Sequence, residues 1–330
     1  MLTGRMEGEL KIFRSFVLIF LSALLFAAGE AGSIAQAGTN AAPQITLPLP
    51  AGRTAQFGHV ILVIEENHKY SDVIDNRDMS YLNSLANQYG LVANYYGNTH
   101  PSIGNYMMLT TGTIITNDSH YKDTVSEDNI VRQLLAAGKT WKSYAEDLPS
   151  IGYTGSGKHS YVARHNPFSF FSDVRANHIQ IQNLMPFTQF SKDLANNQLP
   201  DFAFIVPNQK HNAHDGSLAE ADTWLHNNIA PLVSNAIFQK DGLLIIVFDE
   251  ADDSDSAHGG GHAAMVIVSP IAKKNYRSET FYQHESTLRL ILEGLGVKNL
   301  PGAAATAPDM SEFFTTWMTN SIYHNNRLSD

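Results

Sequence analysis

The sequence predicts an α/β protein, a three-layer α/β/α sandwich around a mostly parallel central sheet. Short runs rich in Val and Ile are apolar along their whole length rather than at alternate residues, which is typical of strands buried on both faces. Longer segments with helical periodicity lie between these runs. Because strand and helix alternate along the chain, we expect parallel strands joined by helical crossovers.

Four apolar runs are predicted as strands, in the order HVILVI at 59–64, FAFIV at 202–206, LLIIVF at 243–248 and MVIV at 265–268. The segments with helical periodicity are 128–137, which Gly138 follows, 218–233, and 284–295, which Gly296 follows. A glycine directly after a periodic segment is a typical helix stop. In such a fold, ligands bind beyond the carboxyl ends of the strands. The polar residues that follow each strand are therefore the candidate site.

Composition excludes several classes of protein. The chain has 330 residues, of which 43% are hydrophobic and 16% are charged, so it is globular rather than disordered. It contains no Cys, which excludes disulfide scaffolds, thiolate metal sites and cysteine nucleophiles. The 22 Lys and Arg residues against 32 Asp and Glu residues give a net charge of −10, which argues against a nucleic-acid partner.

The amino terminus has the pattern of an export signal. Lys11 and Arg14 precede an apolar run at 16–28, and small residues then lead to Ala35-Gln36-Ala37. This order matches a cleavable signal peptide, and the apolar run is short for a membrane span. We predict a signal peptide at 1–37, a lead-in at 38–55, a single domain at 56–330, and a secreted or periplasmic protein with no stable membrane span after cleavage. An uncleaved membrane anchor is the alternative.

Carboxylates follow two of the predicted strands. Glu65 and Glu66, then Asn67, come after the first strand, and Asp249 and Glu250 come after the third. Like charges gathered at one edge of a sheet are costly unless a cation lies between them. Oxygen ligands of this kind suit Ca²⁺, Mg²⁺ or Mn²⁺, and nearby imidazoles also admit Zn²⁺ or Fe. Solvated loop acids are the alternative interpretation.

Histidines occur in two further polar segments. His211 and His214 follow the second strand, with Asp215 placed to orient an imidazole. His258 and His262 flank three glycines before the fourth strand, where glycine allows close approach to a ligand. A hydrogen-bonded structural histidine and an ordinary surface loop are the alternatives.

Ser102 is the candidate nucleophile. It follows Pro101 at the start of an apolar stretch that can begin a helix, so its hydroxyl can point outward. Taken alone, a serine in this position is an ordinary helix N-cap.

Taken together, the motifs of this chain resemble the phosphoesterase family of bacterial acid phosphatases and non-specific phospholipases C, a branch of the alkaline phosphatase superfamily. The resemblance extends from about His59 to Gly296, and no one motif carries it alone. The segments, in the family's order, are VIEENHKYSDVI at 63–74, THPSIGNYMMLTTG at 99–112, DNIVRQLLAAGKTWKSYAEDLP at 128–149, YVARHNPFSFFSDV at 161–174, PNQKHNAHDGSLAEADTWL at 207–225, VFDEADD at 247–253 and VIVSPIAKKNYRSETFYQHESTLRLIL at 266–292.

The resemblance implies an alkaline phosphatase-like fold and a divalent metal of unknown identity held by Glu66, Asn67, Asp249 and Glu250. It also implies that Ser102 is the nucleophile.

Three further roles follow from the same resemblance. Asn105 is similar to the asparagine that binds a phosphoryl oxygen. His214 and His165 resemble the family's active-site histidines, one of which protonates the leaving group. The roles of His211 and His258, and that of His262, stay open, and with them a second metal.

The resulting hypothesis is a metal-dependent phosphomonoesterase of the acid phosphatase type that acts through a phosphoserine. Its substrate is a small phosphate ester or a phospholipid, and its oligomeric state is not predicted. Two alternatives stay open: a phospholipase C that hydrolyses phospholipid head groups, and a non-catalytic, metal-stabilised binding protein.

Overall fold

The structure is a computed structural model that describes residues 46–48, 55–158 and 160–317. The predicted signal peptide at 1–37 and most of the predicted lead-in at 38–55 lie outside the described residues, so both stay predictions. The described elements fall mainly in the region predicted as the domain, 56–330.

An eight-stranded sheet forms the centre of the described part of the chain. Strands β1 and β10 pair with each other in a second, two-stranded antiparallel sheet. The strands are β1 Thr46–Pro48, β2 His59–Glu65, β3 Gly90–Tyr96, β4 Trp141–Ala145, β5 Leu184–Pro186, β6 Phe202–Val206, β7 Gly242–Phe248, β8 His262–Val268, β9 Tyr276–Ser278 and β10 Thr315–Trp317.

The strand order is β5-β4-β6-β2-β7-β8-β3-β9. The first five strands pair in parallel, β8 is antiparallel to both of its neighbours, and β9 is parallel to β3. Seven strands therefore point the same way and end at one edge of the sheet. Glu65 pairs in register with Phe248, so the residues that directly follow β2 and β7 leave the sheet side by side.

Nine helices, counted over the described residues, accompany the sheet. They are α1 Tyr70–Val73, α2 Ser80–Gln88, α3 Ile103–Thr111, α4 Ile130–Ala136, α5 Ser172–Arg175, α6 Thr188–Ala195, α7 Leu218–Val233, α8 Ala236–Asp241 and α9 His284–Gly294. Helix α3 and helix α4 pack against α9, whereas α2 packs against α7. The prediction of an α/β/α sandwich with a mostly parallel sheet is confirmed.

Local sequence explains where several helices begin. The Asn129 side chain accepts hydrogen bonds from the backbone N–H groups of Val131 and Arg132, which caps α4. Ser217 and Glu220 form a reciprocal capping box at the start of α7. In the part of the chain that the structure describes, the helices are too short or too polar to cross a lipid bilayer.

The four strands predicted from sequence are β6, β2, β7 and β8, which are consecutive neighbours in the sheet. Their burial on both faces produces the continuous apolar runs that identified them. The four strands of this sheet that were not predicted, β4 and β5 on one side and β3 and β9 on the other, flank this group. There, β5 and β9 have three residues each, and β4 includes Lys142 and Ser143 among its five residues.

Candidate active site

Four carboxyl side chains are buried where β2 and β7 end. Glu65 and Glu66 lie at the end of β2, and Asp249 and Glu250 follow β7. All four are at most 1% exposed. We call these four residues the carboxylate cluster. The sequence prediction that these two strand ends bring acids together is supported by this placement.

Ser102 lies in direct contact with the carboxylate cluster. It occupies the N-cap position of α3, yet its side chain makes no capping hydrogen bond. Instead, the hydroxyl lies 3.0 Å from Glu66 Oε2 and 3.0 Å from Glu250 Oε1. The ordinary N-cap interpretation therefore does not describe this serine. Its hydroxyl instead faces the carboxylate cluster.

Burial shifts the acid–base behaviour of the whole cluster. Burial raises the pKa of Glu66 to about 7, although hydrogen bonds from Tyr106 and Ser102 oppose the shift. Burial and then the charge on Glu66 raise the pKa of Glu250 to about 8. Burial, reinforced by the charges on Glu66 and Glu250, also raises the pKa of Asp249 well above its ordinary value. Without a positive partner, these groups favour the protonated form.

Some oxygens of the cluster lack any donor. Asp249 Oδ1 accepts a hydrogen bond from the Glu250 backbone N–H at 2.8 Å, but Asp249 Oδ2 is buried without a partner. Both carboxylate oxygens of Glu65 are also buried without a partner. Burial and then the charge on Glu66 raise the pKa of Glu65 well above its ordinary value. Buried carboxyl oxygens without a partner are costly unless the group is protonated or a positive group binds it.

Asn67 completes the oxygen set. Its backbone φ of 46° is in the left-handed region, which asparagine tolerates better than most residues. Its Oδ1 lies 3.3 Å from Ser102 Oγ. If the side-chain amide is rotated by 180°, so that its nitrogen and oxygen exchange places, the nitrogen donates to Glu66 Oε2 at 2.9 Å and to Glu250 Oε1 at 3.3 Å. Asn67 can therefore donate a hydrogen bond to a cation-free cluster or offer its amide oxygen to a cation.

The oxygens fit a hard divalent cation in their chemistry. Carboxylate, amide and hydroxyl oxygens are the ligands that Mg²⁺, Ca²⁺ and Mn²⁺ prefer. Across the described residues, no three His, Asp or Glu side chains already form a complete ligand cluster. The case for a cation therefore depends on the unsatisfied oxygens and on the mutual repulsion of the carboxylates.

His165 lies inside the site. Its Nε2 is 3.3 Å from Glu66 Oε1, and its ring stacks on Tyr106 at 4.9 Å between centroids. Burial, then the charges of Arg164 and His214, hold the pKa of His165 well below its ordinary value. The neutral ring is therefore favoured, which makes His165 a weaker candidate than His214 for the proton donor.

His214 lies near the cluster and retains an available nitrogen. Its Nδ1 lies 2.7 Å from Asp215 Oδ1, as the sequence prediction of an orienting aspartate requires. Its charge is close enough to influence the pKa of Glu66. Its Nε2 makes no hydrogen bond with any described residue. The other histidine of this loop, His211, bonds instead to Glu146 at 2.9 Å.

Asn105 is buried and makes four hydrogen bonds. Its Oδ1 accepts from the backbone N–H groups of Asn98 and Thr99 at 2.9 and 3.2 Å. Its Nδ2 donates to the Thr99 carbonyl at 2.7 Å and to Glu250 Oε2 at 3.0 Å. This amide therefore joins the segment before Ser102 to the carboxylate cluster.

The glycine-flanking histidines are placed differently. His262 stacks between Tyr70 and Tyr96, at 4.4 and 4.9 Å between centroids, and His258 packs on Phe281. A Cβ at Gly259 would collide with the Asn98 carbonyl. The glycines therefore allow the backbone to approach the segment that leads to Ser102.

Three residues near the cluster had no role in the sequence prediction. The Tyr106 hydroxyl donates to Glu66 Oε1 at 2.6 Å, and His100 Nδ1 lies 3.0 Å from Glu250 Oε2. His284 contacts the Asp249 carbonyl through Nε2, and burial lowers its pKa to about 4. Tyr106 lies four residues after Ser102, which is a one-turn spacing on a helix, and this was an available signal.

Sequence comparisons with known proteins identify the family of this chain. A family model described as the Phosphoesterase family matches residues 72–298. The chain is 30% identical over 246 residues to a phosphatidylinositol-3-phosphatase from Mycobacterium tuberculosis, covering 74% of this chain and 77% of that protein. It is also 30% identical over 253 residues to an acid phosphatase from Aspergillus fumigatus, covering 74% of this chain and 56% of that protein.

The fold has solved counterparts. One is the crystal structure of a protein in the alkaline phosphatase superfamily from Vibrio parahaemolyticus, with a TM-score of 0.53 at 10% identity, covering 78% of this chain and 70% of that one. At this identity, the likeness concerns the fold alone. The resemblance predicted from the sequence motifs is confirmed by the family match. The chain belongs to the Phosphoesterase family and is a hydrolase of phosphoric ester bonds.

Proposed function

We propose that the chain is an exported, metal-dependent phosphomonoesterase of the acid phosphatase type, which acts through a phosphoserine on Ser102. One observation carries the proposal: the Ser102 hydroxyl lies 3.0 Å from a carboxylate of each strand end, Glu66 and Glu250. The names of the two relatives, an acid phosphatase and a phosphatidylinositol-3-phosphatase, support a phosphate monoester as the substrate. Export rests on the predicted signal peptide alone.

The residues proposed to hold the metal are Glu66, Asn67, Asp249 and Glu250. A divalent cation bound there would supply the positive charge that keeps these carboxylates ionised, stabilises a deprotonated Ser102 and offsets charge on the phosphoryl oxygens. Mg²⁺, Mn²⁺, Ca²⁺, Zn²⁺ and Fe all suit some of these ligands.

Ser102 Oγ attacks phosphorus and forms the Oγ–P bond as the bond to the leaving oxygen breaks. Either carboxylate oxygen at 3.0 Å, on Glu66 or Glu250, can accept the hydroxyl proton. Water then hydrolyses the phosphoserine, which releases inorganic phosphate and restores the serine.

His214 is the proposed proton donor to the leaving oxygen. Asp215 holds its Nδ1, which fixes the ring and leaves Nε2 for the substrate. The imidazole of His165 is proposed to stay unprotonated beside Glu66 and not to donate the proton.

Asn105 is proposed to bind a phosphoryl oxygen, as the family resemblance implies. Its Nδ2 now donates to both the Thr99 carbonyl and Glu250 Oε2. Binding a phosphoryl oxygen therefore requires this nitrogen to exchange its contact with Glu250. If it does not exchange, Asn105 positions the loop and Glu250 instead.

The alternatives predict different substrates. A phospholipase C would release p-nitrophenol from p-nitrophenyl phosphorylcholine faster than from p-nitrophenyl phosphate. A non-catalytic binding protein would hydrolyse neither compound.

The test compares Ser102→Ala with wild type on p-nitrophenyl phosphate, with and without a chelator. Loss of a catalytic nucleophile costs on the order of 10⁴-fold or more in kcat, so we expect at least that loss in the variant. We also expect a phosphorylated Ser102 peptide in acid-quenched wild-type enzyme, detected by mass spectrometry.

The matched control is Ser84→Ala, which removes an exposed helical hydroxyl that bonds only to the Tyr81 carbonyl. It should retain wild-type activity. Near-normal turnover by Ser102→Ala, in protein with a wild-type melting curve, would end the assignment of the nucleophile.

A further inference from the structure

A cavity of about 540 Å³ lies among the loops that precede and surround His165. Its wall comes from segments far apart in the sequence, at 119–122, 154–157 and 161–164, together with Phe170 and Arg175. Aromatic side chains of Tyr121, Tyr161 and Phe170 form part of the wall. A cavity of this size is typical of a binding pocket for a small molecule.

The charge of the wall is unusual for this protein. Lys122, Arg164 and Arg175 line the cavity, and no Asp or Glu is among its described lining residues. The whole chain, in contrast, has a net charge of −10. We call this space the cationic cavity. A pocket lined by charges of one sign concentrates ligands of the opposite sign.

Two of these cations differ in what holds them. Arg175 Nε donates to the Ser169 carbonyl, and the guanidinium lies 5.6 Å from the centre of the Phe170 ring, so the side chain is already oriented. Arg164 makes no hydrogen bond or ion pair with any described residue. An unpaired guanidinium on a cavity wall retains its full capacity to bind phosphate through two parallel hydrogen bonds.

The cavity and the active site share one short element. The 3-10 turn Ala163–His165 carries Arg164 on the cavity wall and, one residue later, His165 with its Nε2 3.3 Å from Glu66 Oε1. The charge of Arg164 is close enough to influence Glu66 and His165. The turn Ala163–His165 and the charge of Arg164 therefore connect the cavity wall to the carboxylate cluster.

We propose that the cationic cavity binds a second anionic group, a phosphate monoester or a phosphodiester, on the leaving-group side of the substrate. This inference rests on the proposed function, because it treats the carboxylate cluster as the place of hydrolysis. A substrate with a neutral leaving group needs no such cations. A soluble sugar bisphosphate and a phosphorylated lipid head group both present this chemistry, and the aromatic wall accepts a ring beside it.

Binding measurements test the proposal without requiring turnover. Calorimetry with Ser102→Ala protein compares glucose 6-phosphate with glucose 1,6-bisphosphate, and inositol 4-phosphate with dibutanoyl phosphatidylinositol 4-phosphate. One charge-assisted contact corresponds to a change of about tenfold or more in Kd, so we expect the second anion to lower Kd by at least about tenfold in one of the pairs. The pair that shows the preference identifies the source of the anion.

Substitutions in the same Ser102→Ala background locate the effect. Arg164→Gln should remove most of the preference, and Arg164→Lys should restore part of it, because lysine keeps the charge but not the fork of donors. The control is Lys192→Gln, an exposed change of the same charge on α6, which should keep the preference.

Equal Kd values within both pairs, or a preference that Arg164→Gln and Lys122→Gln both leave intact, would overturn the inference. The proposed function fails separately, when wild-type enzyme does not hydrolyse p-nitrophenyl phosphate.

Discussion

Two buried acidic regions of this molecule are built in opposite ways. Asp193 on α6 is 2% exposed, and it accepts hydrogen bonds from Lys142 Nζ and the Tyr144 hydroxyl, each at 2.6 Å, and from Gln189 Nε2 at 2.8 Å. The carboxylate cluster is buried to the same degree, but several of its oxygens have no donor and its members repel one another. The chain's own donors satisfy the Asp193 carboxylate, whereas they leave oxygens of Glu65 and Asp249 without a hydrogen bond.

The acid–base consequences are also opposite. Burial alone would raise the pKa of Asp193, but the hydrogen bonds from Lys142, Tyr144 and Gln189 lower it below the ordinary value. In the carboxylate cluster, burial and neighbouring charges raise the pKa values of Asp249 and Glu250. A buried acid supplied with donors stabilises the fold, whereas buried acids without donors store repulsion that a ligand can relieve.

Between the two acidic regions, the largest effect is expected from Asp249→Asn. Removing one carboxylate of the proposed metal site should lower kcat/KM for p-nitrophenyl phosphate by about 10³-fold, because the charge on the transferring phosphoryl group loses its partner. In chelator near pH 7, the same variant should unfold at a higher urea concentration than wild type, since folding no longer has to bury and protonate this acid. Activity assays and urea unfolding measure the two effects.

If Asp249→Asn has near-wild-type activity and is less stable than wild type in chelator, Asp249 serves the fold in the way that Asp193 does. The comparison between the two regions would then be wrong.

The second effect concerns ligand binding by the intact cluster. A divalent cation that binds only the folded protein stabilises it by about 2.7 kcal/mol at a concentration one hundred times its Kd, which corresponds to a rise in Tm of about 5 °C or more. We expect this rise in wild type when Mg²⁺, Mn²⁺, Ca²⁺ or Zn²⁺ is added after chelation. Differential scanning calorimetry measures it. Asp249→Asn is the control and should show a much smaller rise; identical melting curves with every ion would exclude the cation.

Sequence patterns identified the parts of this structure that depend on neighbours along the chain. Continuous apolar runs identified four adjacent strands of the sheet, because burial on both faces leaves no polar positions. The residues after β2 and β7 could then be placed together, because parallel strands end at one edge. The family motifs added Ser102 and Asn105, both of which contact Glu250 in the structure.

The rest depends on tertiary contacts that leave no periodic signal. The cationic cavity joins Lys122, Arg164 and Arg175 from three separate segments, and nothing in their spacing indicates that they meet. Likewise, Lys142 interrupts the apolar run of β4, so the sequence of this strand lacks the continuous pattern. In the structure, its ion pair with Asp193 compensates for the charge. Each element of this kind is fixed by its spatial partner rather than by its own sequence.

The third effect is a dependence of stability on pH. The folded-state pKa of Glu66, about 7, and that of Glu250, about 8, exceed the unfolded value of 4.5, so the folded state binds more protons. Stability from these groups is fully present below about pH 4.5 and is lost progressively as pH rises from there through 7 and 8. Buried His165 and His284 have lowered pKa values and act in the opposite direction, but only below about pH 6.5.

In chelator, the free energy of unfolding should therefore fall between pH 6.5 and 8.5, as measured by urea titration. A saturating divalent cation should abolish the fall, because the bound carboxylates are ionised throughout. Stability that is constant or rising over this range in chelator would contradict the raised pKa values.

The smallest effect is expected at Asp193, whose carboxylate accepts hydrogen bonds from Lys142, Tyr144 and Gln189. Asp193→Asn keeps the shape of the side chain but removes the charge that Lys142 and the Tyr144 hydroxyl share. Leaving such donors poorly paired costs about 1–3 kcal/mol, so urea unfolding should show a loss of that size.

Activity per folded molecule should not change, because Asp193 lies outside the carboxylate cluster and has no role in the proposed chemistry. Asp78→Asn removes the same charge from an exposed position whose side chain makes no hydrogen bond or ion pair with any described residue, and it should alter neither property. Equal stability of Asp193→Asn and Asp78→Asn would show that the donors around Asp193 contribute nothing. The contrast with Asp249→Asn, in which chelated protein gains stability while activity is lost, separates a buried acid that maintains the fold from one kept for a ligand.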